Sequence, residues 1–120
     1  MKVLVCGSRD WSDQTALWSV LSGFIEPGVC VLIEGEAPGA DSMARDWALN
    51  EEQPIEQYPA DWEKHGKAAG PIRNQQMLDE GKPELVLAFV NKPLAESRGT
   101  ADMVRRAKAA GIPTYVVEAM

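Results

Sequence analysis

The sequence has little from which to build several common kinds of site. Its single histidine, His65, has no cysteine or second histidine near it, so the ligand spacing of a zinc or other metal centre is missing and no metal is expected. The two cysteines, Cys6 and Cys30, each sit inside an apolar run (VLVC and VCVLI), where a reduced thiol behaves as a small hydrophobe rather than as half of a disulfide. No apolar stretch approaches the roughly 20 residues that span a bilayer, and the apolar part of MKVLVCGSRD is too short for a secretory signal. A cytoplasmic location without membrane contact is therefore expected. Positive charge is in short supply: 12 Lys and Arg stand against 18 Asp and Glu, a net charge of −6. Tracking a nucleic-acid backbone takes a basic stripe, so nucleic acid is not expected as a partner. GxGxxG and GxxxxGK[ST] are both absent, and neither a Ser/His/Asp nor a Cys/His arrangement is supported.

What the 120 residues do contain is an alternation of strand and helix signals within one domain's length, residues 1–120. Lys2 to Cys6 is short, apolar and ended by Gly7. Asp13 is a candidate N-cap for a helix to about Phe24, with Ala16, Leu17, Val20, Leu21 and Phe24 at helical spacing and Pro27-Gly28 as its stop. Val29 to Ile33 is a second apolar run. A helix carrying Ala40, Met43, Ala44, Trp47 and Ala48 on one face follows, to about Asn50. Ile55 to Tyr58 reads as a third strand and Pro59 to Gly70 as loop. Pro71 heads a helix over Ile72 to Glu80 that Gly81 ends. Leu85 to Val90 is a fourth strand; a helix from about Thr100 to Ala110 stops at Gly111, and Pro113 to Val117 is the fifth strand. Strands apolar on both faces and separated by helices predict a doubly wound α/β domain, a three-layer sandwich of about five mostly parallel strands.

In such sheets the ligand crevice lies outside the carboxyl ends of the strands. That rule selects four loops: Gly7-Ser8-Arg9-Asp10-Trp11, Gly35 to Asp41, Tyr58 to Arg73, and Asn91 to Thr100. Gly39, Gly70 and Gly99 each stand at or just before an expected helix start, where a missing Cβ lets an anion approach the backbone. Each glycine equally suits an ordinary turn, but three together in these loops favour a site. Arg9 and Arg73 offer planar donors to phosphate or carboxylate. Ser8 and Thr100 can donate hydroxyls or serve as turn and cap residues, and Asp41 can accept from a ribose hydroxyl or cap its helix. A base can stack on Trp11 or Trp62, although either can equally cover the sheet edge. The stretch GKAAGPIRN, residues 66–74, is expected to be a loop running into a helix start, a seat for an anion with Arg73 in the first turn.

Four ordered motifs, GSRDW, GEAPGADSMARDWA, YPADWEKHGKAAGPIRNQQM and GTADMVRRAKAAGIPTY, resemble a small bacterial and phage branch of the SLOG superfamily, relatives of the lonely guy phosphoribohydrolases and the DNA-processing protein DprA. The resemblance covers almost the whole chain. It implies a Rossmann-like domain that binds a nucleotide or nucleotide-derived small molecule, with no added cofactor, as a homo-oligomer. Gly7, Ser8, Arg9, Gly35, Gly39, Asp41, Gly70, Arg73, Asn74, Gly99 and Thr100 are then the candidate ligand- and phosphate-binding residues. The lonely guy enzymes carry PGGxGTxxE and an upstream arginine. Arg73 falls where that arginine stands and Gly99-Thr100 match the GT, but the glutamate's position is Met103, with Asp102 one place early. One residue on a helix rotates a side chain by about 100°. Asp102 and Glu36 are the candidate catalytic carboxylates if the chain is a phosphoribohydrolase-like enzyme; the expected role is a sensor or sponge that holds its ligand intact.

Overall fold

The computed structural model describes residues 1–26 and 30–119. Five strands, β1 (Lys2–Gly7), β2 (Val31–Glu34), β3 (Ile55–Gln57), β4 (Leu85–Val90) and β5 (Thr114–Glu118), form one sheet in the order β3-β2-β1-β4-β5, and every pairing is parallel. The helices are α1 (Gln14–Phe24), α2 (Ala40–Asn50), α3 (Trp62–His65), α4 (Ala69–Gln76) and α5 (Arg98–Ala109). The fold is the doubly wound α/β architecture that the alternation of apolar runs predicts, and it is Rossmann-like as the resemblance implies. Among the described residues no helix is long and apolar enough to cross a membrane.

Alternation along the strands divides the core between two faces. Val3, Val5, Leu32, Leu85, Leu87 and Phe89 pack with Leu17, Leu21, Ala44 and Trp47 of α1 and α2. Leu4, Cys6, Ile33, Val86 and Ala88 meet Met77, Leu78 and the α5 residues Met103, Val104 and Ala107 on the other. Burial on both sides is why β1 and β4 read as unbroken apolar runs. The chain winds outward from β1 to β3, then restarts at β4 beside β1. The carboxyl ends of β1 and β4 therefore diverge into helices on opposite faces and open a crevice between them.

Local signals explain most boundaries. The Asp13 side chain accepts from the Ala16 amide at 3.0 Å and caps α1. The expected stop at Pro27-Gly28 and the expected strand residue Val29 lie outside the described residues, and β2 begins at Val31.

Two expectations are corrected. Pro59 to Gly70 is not a loop throughout: Asp61 caps α3 by accepting from the Lys64 amide at 3.0 Å, and a 3-10 turn over Gly66–Ala68 leads directly into α4. The helix after it starts at Ala69, so Pro71 is its third residue, still within the first turn where no N–H is needed. GKAAGPIRN is therefore not a loop entering an open helix start, because the Ala69 amide already donates to the Gly66 carbonyl of the preceding turn. Trp11, a candidate stacking surface, is likewise not available to a base. It is buried in the core edge-on to Phe89, with ring centroids 5.5 Å apart, and its Nε1 donates to the Asp13 carbonyl at 2.9 Å.

Candidate functional site

A crevice of about 740 Å³ runs along the carboxyl ends of β2, β1 and β4. It brings together Gly7, Ser8, Arg9, Asp41, Trp62, Gly70, Arg73, Gly99 and Thr100 from all four selected loops, with Asn74 and Asp102 from the helices just beyond them. Of the other expected residues, Trp11 is in the core, and Gly35, Gly39 and Glu36 stand behind the lining.

The first loop is stapled across the sheet. The Ser8 amide donates to the Phe89 carbonyl at 2.8 Å and the Ser8 carbonyl accepts from Ala40 at 3.2 Å, while the Ser8 hydroxyl accepts from the Asn91 amide at 3.4 Å. Gly39 closes this contact. It sits at φ 76°, and a Cβ there would lie 2.3 Å from the Ser8 carbonyl oxygen and 2.5 Å from that of Arg9, so only glycine lets the chain turn into α2 so close to the loop.

Arg9 extends from that loop over Trp62, its guanidinium 5.4 Å from the ring centroid, within cation–π range. Trp62 is 49% exposed, which leaves aromatic surface on the crevice. Arg73 crosses to the end of β2, where Nη1 donates to the Gly35 carbonyl at 2.6 Å and to Tyr58 at 3.4 Å, and Nε donates to the Asn74 side chain at 3.2 Å. Its Nη2 has no partner among the described residues. Gly35 is required by this packing, since a Cβ there would come within 2.3 Å of Nη1.

At the β4 side α5 begins without a side-chain cap. Ser97 and Thr100 share one hydroxyl hydrogen bond of 3.1 Å, and the amides of Arg98, Gly99 and Thr100 have no acceptor among the described residues. These are the orphan donors of a helix start, with the positive end of the helix dipole behind them. Buried Asn74 fixes their position by donating to the Gly99 carbonyl and to Asp102 Oδ2, both at 3.1 Å.

The crevice carboxylates lie in contrasting surroundings. Asp102 Oδ1 accepts from Arg105 at 2.5 Å, and Oδ2 accepts from Arg106 at 2.8 Å as well as from Asn74. Burial alone would raise its pKa, but the Arg106 and Asn74 bonds and the two arginine charges outweigh burial and hold it below the usual carboxylate range. Asp41 is 5% exposed. Its Oδ2 accepts from the amides of Gly35 at 3.0 Å and Ala37 at 3.3 Å, and Oδ1 has no partner among the described residues. Burial, then the charge of Glu34, pushes its pKa up to about 7 against the opposing pull of those amides and of Arg73. Glu36, in the left-handed region at φ 57°, directs its amide to Glu34 Oε2 at 2.6 Å and stands outside the lining.

Sequence reasoning missed several contributors. Lys67, Lys92 and Arg98 bring the cationic lining to five side chains, with Arg9 and Arg73, against the four carboxylates of Asp10, Asp41, Glu96 and Asp102. The crevice is thus locally cationic in a chain of net charge −6. Lys67, Lys92 and Arg98 lie in the selected loops and the strand-end rule reaches them, but nothing in their residue type separates them from solvated surface charges. Glu34 is fully buried and accepts from Gln57 at 2.6 Å; a carboxylate closing the apolar run VLIE was the available signal.

The sequence profile of the YspA, cpYpsA-related SLOG family matches residues 1–65. The chain is also 41% identical over 119 residues to the Gene 61 protein of Mycobacterium phage D29, covering 93% of this chain and 92% of that protein. The chain belongs to this SLOG family. The SLOG chain also superposes on the X-ray structure of DNA processing protein A (DprA) from Streptococcus pneumoniae with a TM-score of 0.79 at 18% identity. That match covers 99% of the SLOG chain but spans only half of the DprA chain, and at this identity it establishes the shared fold.

Proposed function

We propose that residues 1–120 form one nucleotide-binding domain whose crevice holds a nucleotide or nucleotide-derived small molecule intact, as a sensor or sponge. Membership of the SLOG family supports nucleotide-related binding as the general role. The observation that carries the finer reading is the pairing, in one crevice, of the free α5 amides with the Arg9–Trp62 platform. Unsatisfied amides at a helix start suit phosphate oxygens, and an exposed indole suits a base. Arg73, which also lines the crevice, has Nη2 left to donate.

Retention rather than cleavage is favoured by the carboxylates. A group that stabilises an oxocarbenium-like centre needs lone pairs free to face it. Both oxygens of Asp102 already accept bonds from Arg105, Arg106 and Asn74, and Glu36 lies outside the lining. The phosphoribohydrolase-like alternative therefore has the weaker support. A cytoplasmic, homo-oligomeric protein with neither membrane nor nucleic acid as partner completes the proposal, the assembly resting on the family likeness.

The test is to incubate the protein with nucleoside monophosphates, dinucleotides, cyclic nucleotides and ADP-ribose derivatives and to follow retained ligand and free base by mass spectrometry. Intact ligand that is lost in Trp62→Ala and Arg73→Ala is the expected result. Release of free base by the wild type, or no retained ligand across the set, would overturn the reading.

A further inference from the structure

We propose that Asp41 selects for ribose, so that the crevice takes ribonucleotides in preference to their deoxy counterparts; this rests on the nucleotide-binding reading above. Asp41 is held rigidly, because two backbone amides fix Oδ2 and the side chain is 95% buried at the start of α2. Oδ1 is left lining the crevice with no donor among the described residues. Oδ1 is not sealed off, since among the described residues Gln53 Oε1 is the only buried side-chain polar atom without a partner, so its unspent lone pairs are open to a donor that enters the crevice.

Charge narrows the chemistry of the donor. Glu34, which is fully buried, adds its own electrostatic field at Asp41, so a phosphate is repelled from this end. A cationic ligand group would meet Arg73, whose guanidinium grips Gly35 beside it. The group that fits is neutral and carries hydrogens to donate. Along the sheet, Asp41 follows β2 and the free amides of α5 follow β4, with β1 between them. Two strand spacings separate those loci, about 10 Å, a span that a nucleoside monophosphate bridges. With phosphate on the α5 amides and the base face on Trp62, the neutral donor-bearing part left for Asp41 is the sugar. Burial and the Glu34 charge set the Asp41 pKa at about 7, so at pH 8 the carboxylate is ionised and acts only as an acceptor.

The experiment is calorimetric titration at pH 8 of the wild type and Asp41→Asn with AMP and GMP, each beside its 2′-deoxy and 3′-deoxy analogue. In the wild type at least one deoxy analogue of each is expected to bind about tenfold or more weakly, the loss of one charge-assisted hydrogen bond. In Asp41→Asn the side-chain oxygen stays on the Gly35 and Ala37 amides and an NH2 replaces the free acceptor, so the preference is expected to fall below about twofold. Ribo and deoxy ligands bound alike by the wild type would overturn this inference and leave the nucleotide-binding reading standing. Binding of neither ribonucleotide would overturn both. A preference that survives in Asp41→Asn would overturn the assignment to Asp41; should that variant fail to fold, Asp41→Ser, which also lacks the carboxylate, is titrated in its place and is expected to lose the preference.

Discussion

Asp41→Asn also gives the sharpest test of the electrostatics at the end of β2. The wild-type carboxyl has a folded-state pKa near 7 against an ordinary value of 3.8, because burial and the neighbouring Glu34 oppose its ionisation. Between those values the folded chain binds a proton that the unfolded chain has released, so stability is lost as pH rises through this window. From pH 5 to full ionisation the interval is about two pKa units, or about 3 kcal/mol at 1.36 kcal/mol per unit. Asparagine abolishes the titration while keeping an oxygen for the Gly35 and Ala37 amides. Relative to the wild type, the variant should therefore gain about 3 kcal/mol between pH 5 and pH 8, about 10 °C in Tm for a domain of this size.

Thermal melts of ligand-free wild type and Asp41→Asn at the two pH values measure this directly. Taking the difference between the proteins largely cancels the groups common to both, including Asp102 and Glu56, whose pKa values are lowered. Glu34 is itself raised, chiefly by burial, a cause present in both proteins, and its repulsion of Asp41 is already contained in the Asp41 shift. A Tm difference that stays the same to within about 2 °C at both pH values would show that Asp41 is not the strained acid described here.

Three further substitutions separate scaffold from site. Gly39→Ala drives a Cβ to within 2.3 Å of the Ser8 carbonyl oxygen at a left-handed φ, and denaturant melts should show a loss of about 2–4 kcal/mol. Gly35→Ala pushes on the end of a flexible side chain instead, the Arg73 guanidinium; stability should fall by only about 1 kcal/mol while calorimetry shows weakened nucleotide binding. Asp102→Asn removes the negative charge and replaces with an NH2 one of the two oxygens that accept from Arg105, Arg106 and Asn74, and should cost about 1–3 kcal/mol at neutral pH. Because the folded-state pKa of Asp102 is lowered, its contribution is present above the unfolded value and fades as pH falls through the folded one. Acid melts should therefore bring the two proteins together.

The strands were legible wherever burial on both faces wrote an unbroken apolar run: the expected Leu85 to Val90 is β4 residue for residue. The α1 boundaries followed from Asp13 at one end and the helical spacing of Leu17 and Leu21 within. What escaped were elements held by contacts rather than pattern. α3 is four residues long with no buried side chain, so no apolar period announces it, and only the Asp61 cap marks its start. Trp11 stands in a loop by its place in the sequence, yet that loop folds back over β4 and lays the indole against Phe89. The strand-end rule gathered most of the crevice because it depends on topology, which the apolar runs determine. It says nothing about which lone pairs remain free.

That last point decides how the two carboxylates of the crevice are to be understood. Environments that push two acids apart in pKa often mark an acid and base pair, and Asp41 and Asp102 are shifted in opposite directions. The causes differ in kind, however. Asp102 is held low by the same guanidinium and amide donors that occupy its oxygens, so its depressed pKa measures how thoroughly it is committed to joining α4 to α5. Asp41 is raised because compensation is incomplete, and the oxygen left uncompensated borders the crevice. One carboxylate therefore organises the free amides of α5 through Asn74, and the other waits for a donor. That division of labour suits recognition of a ligand at two ends better than it suits proton transfer between them.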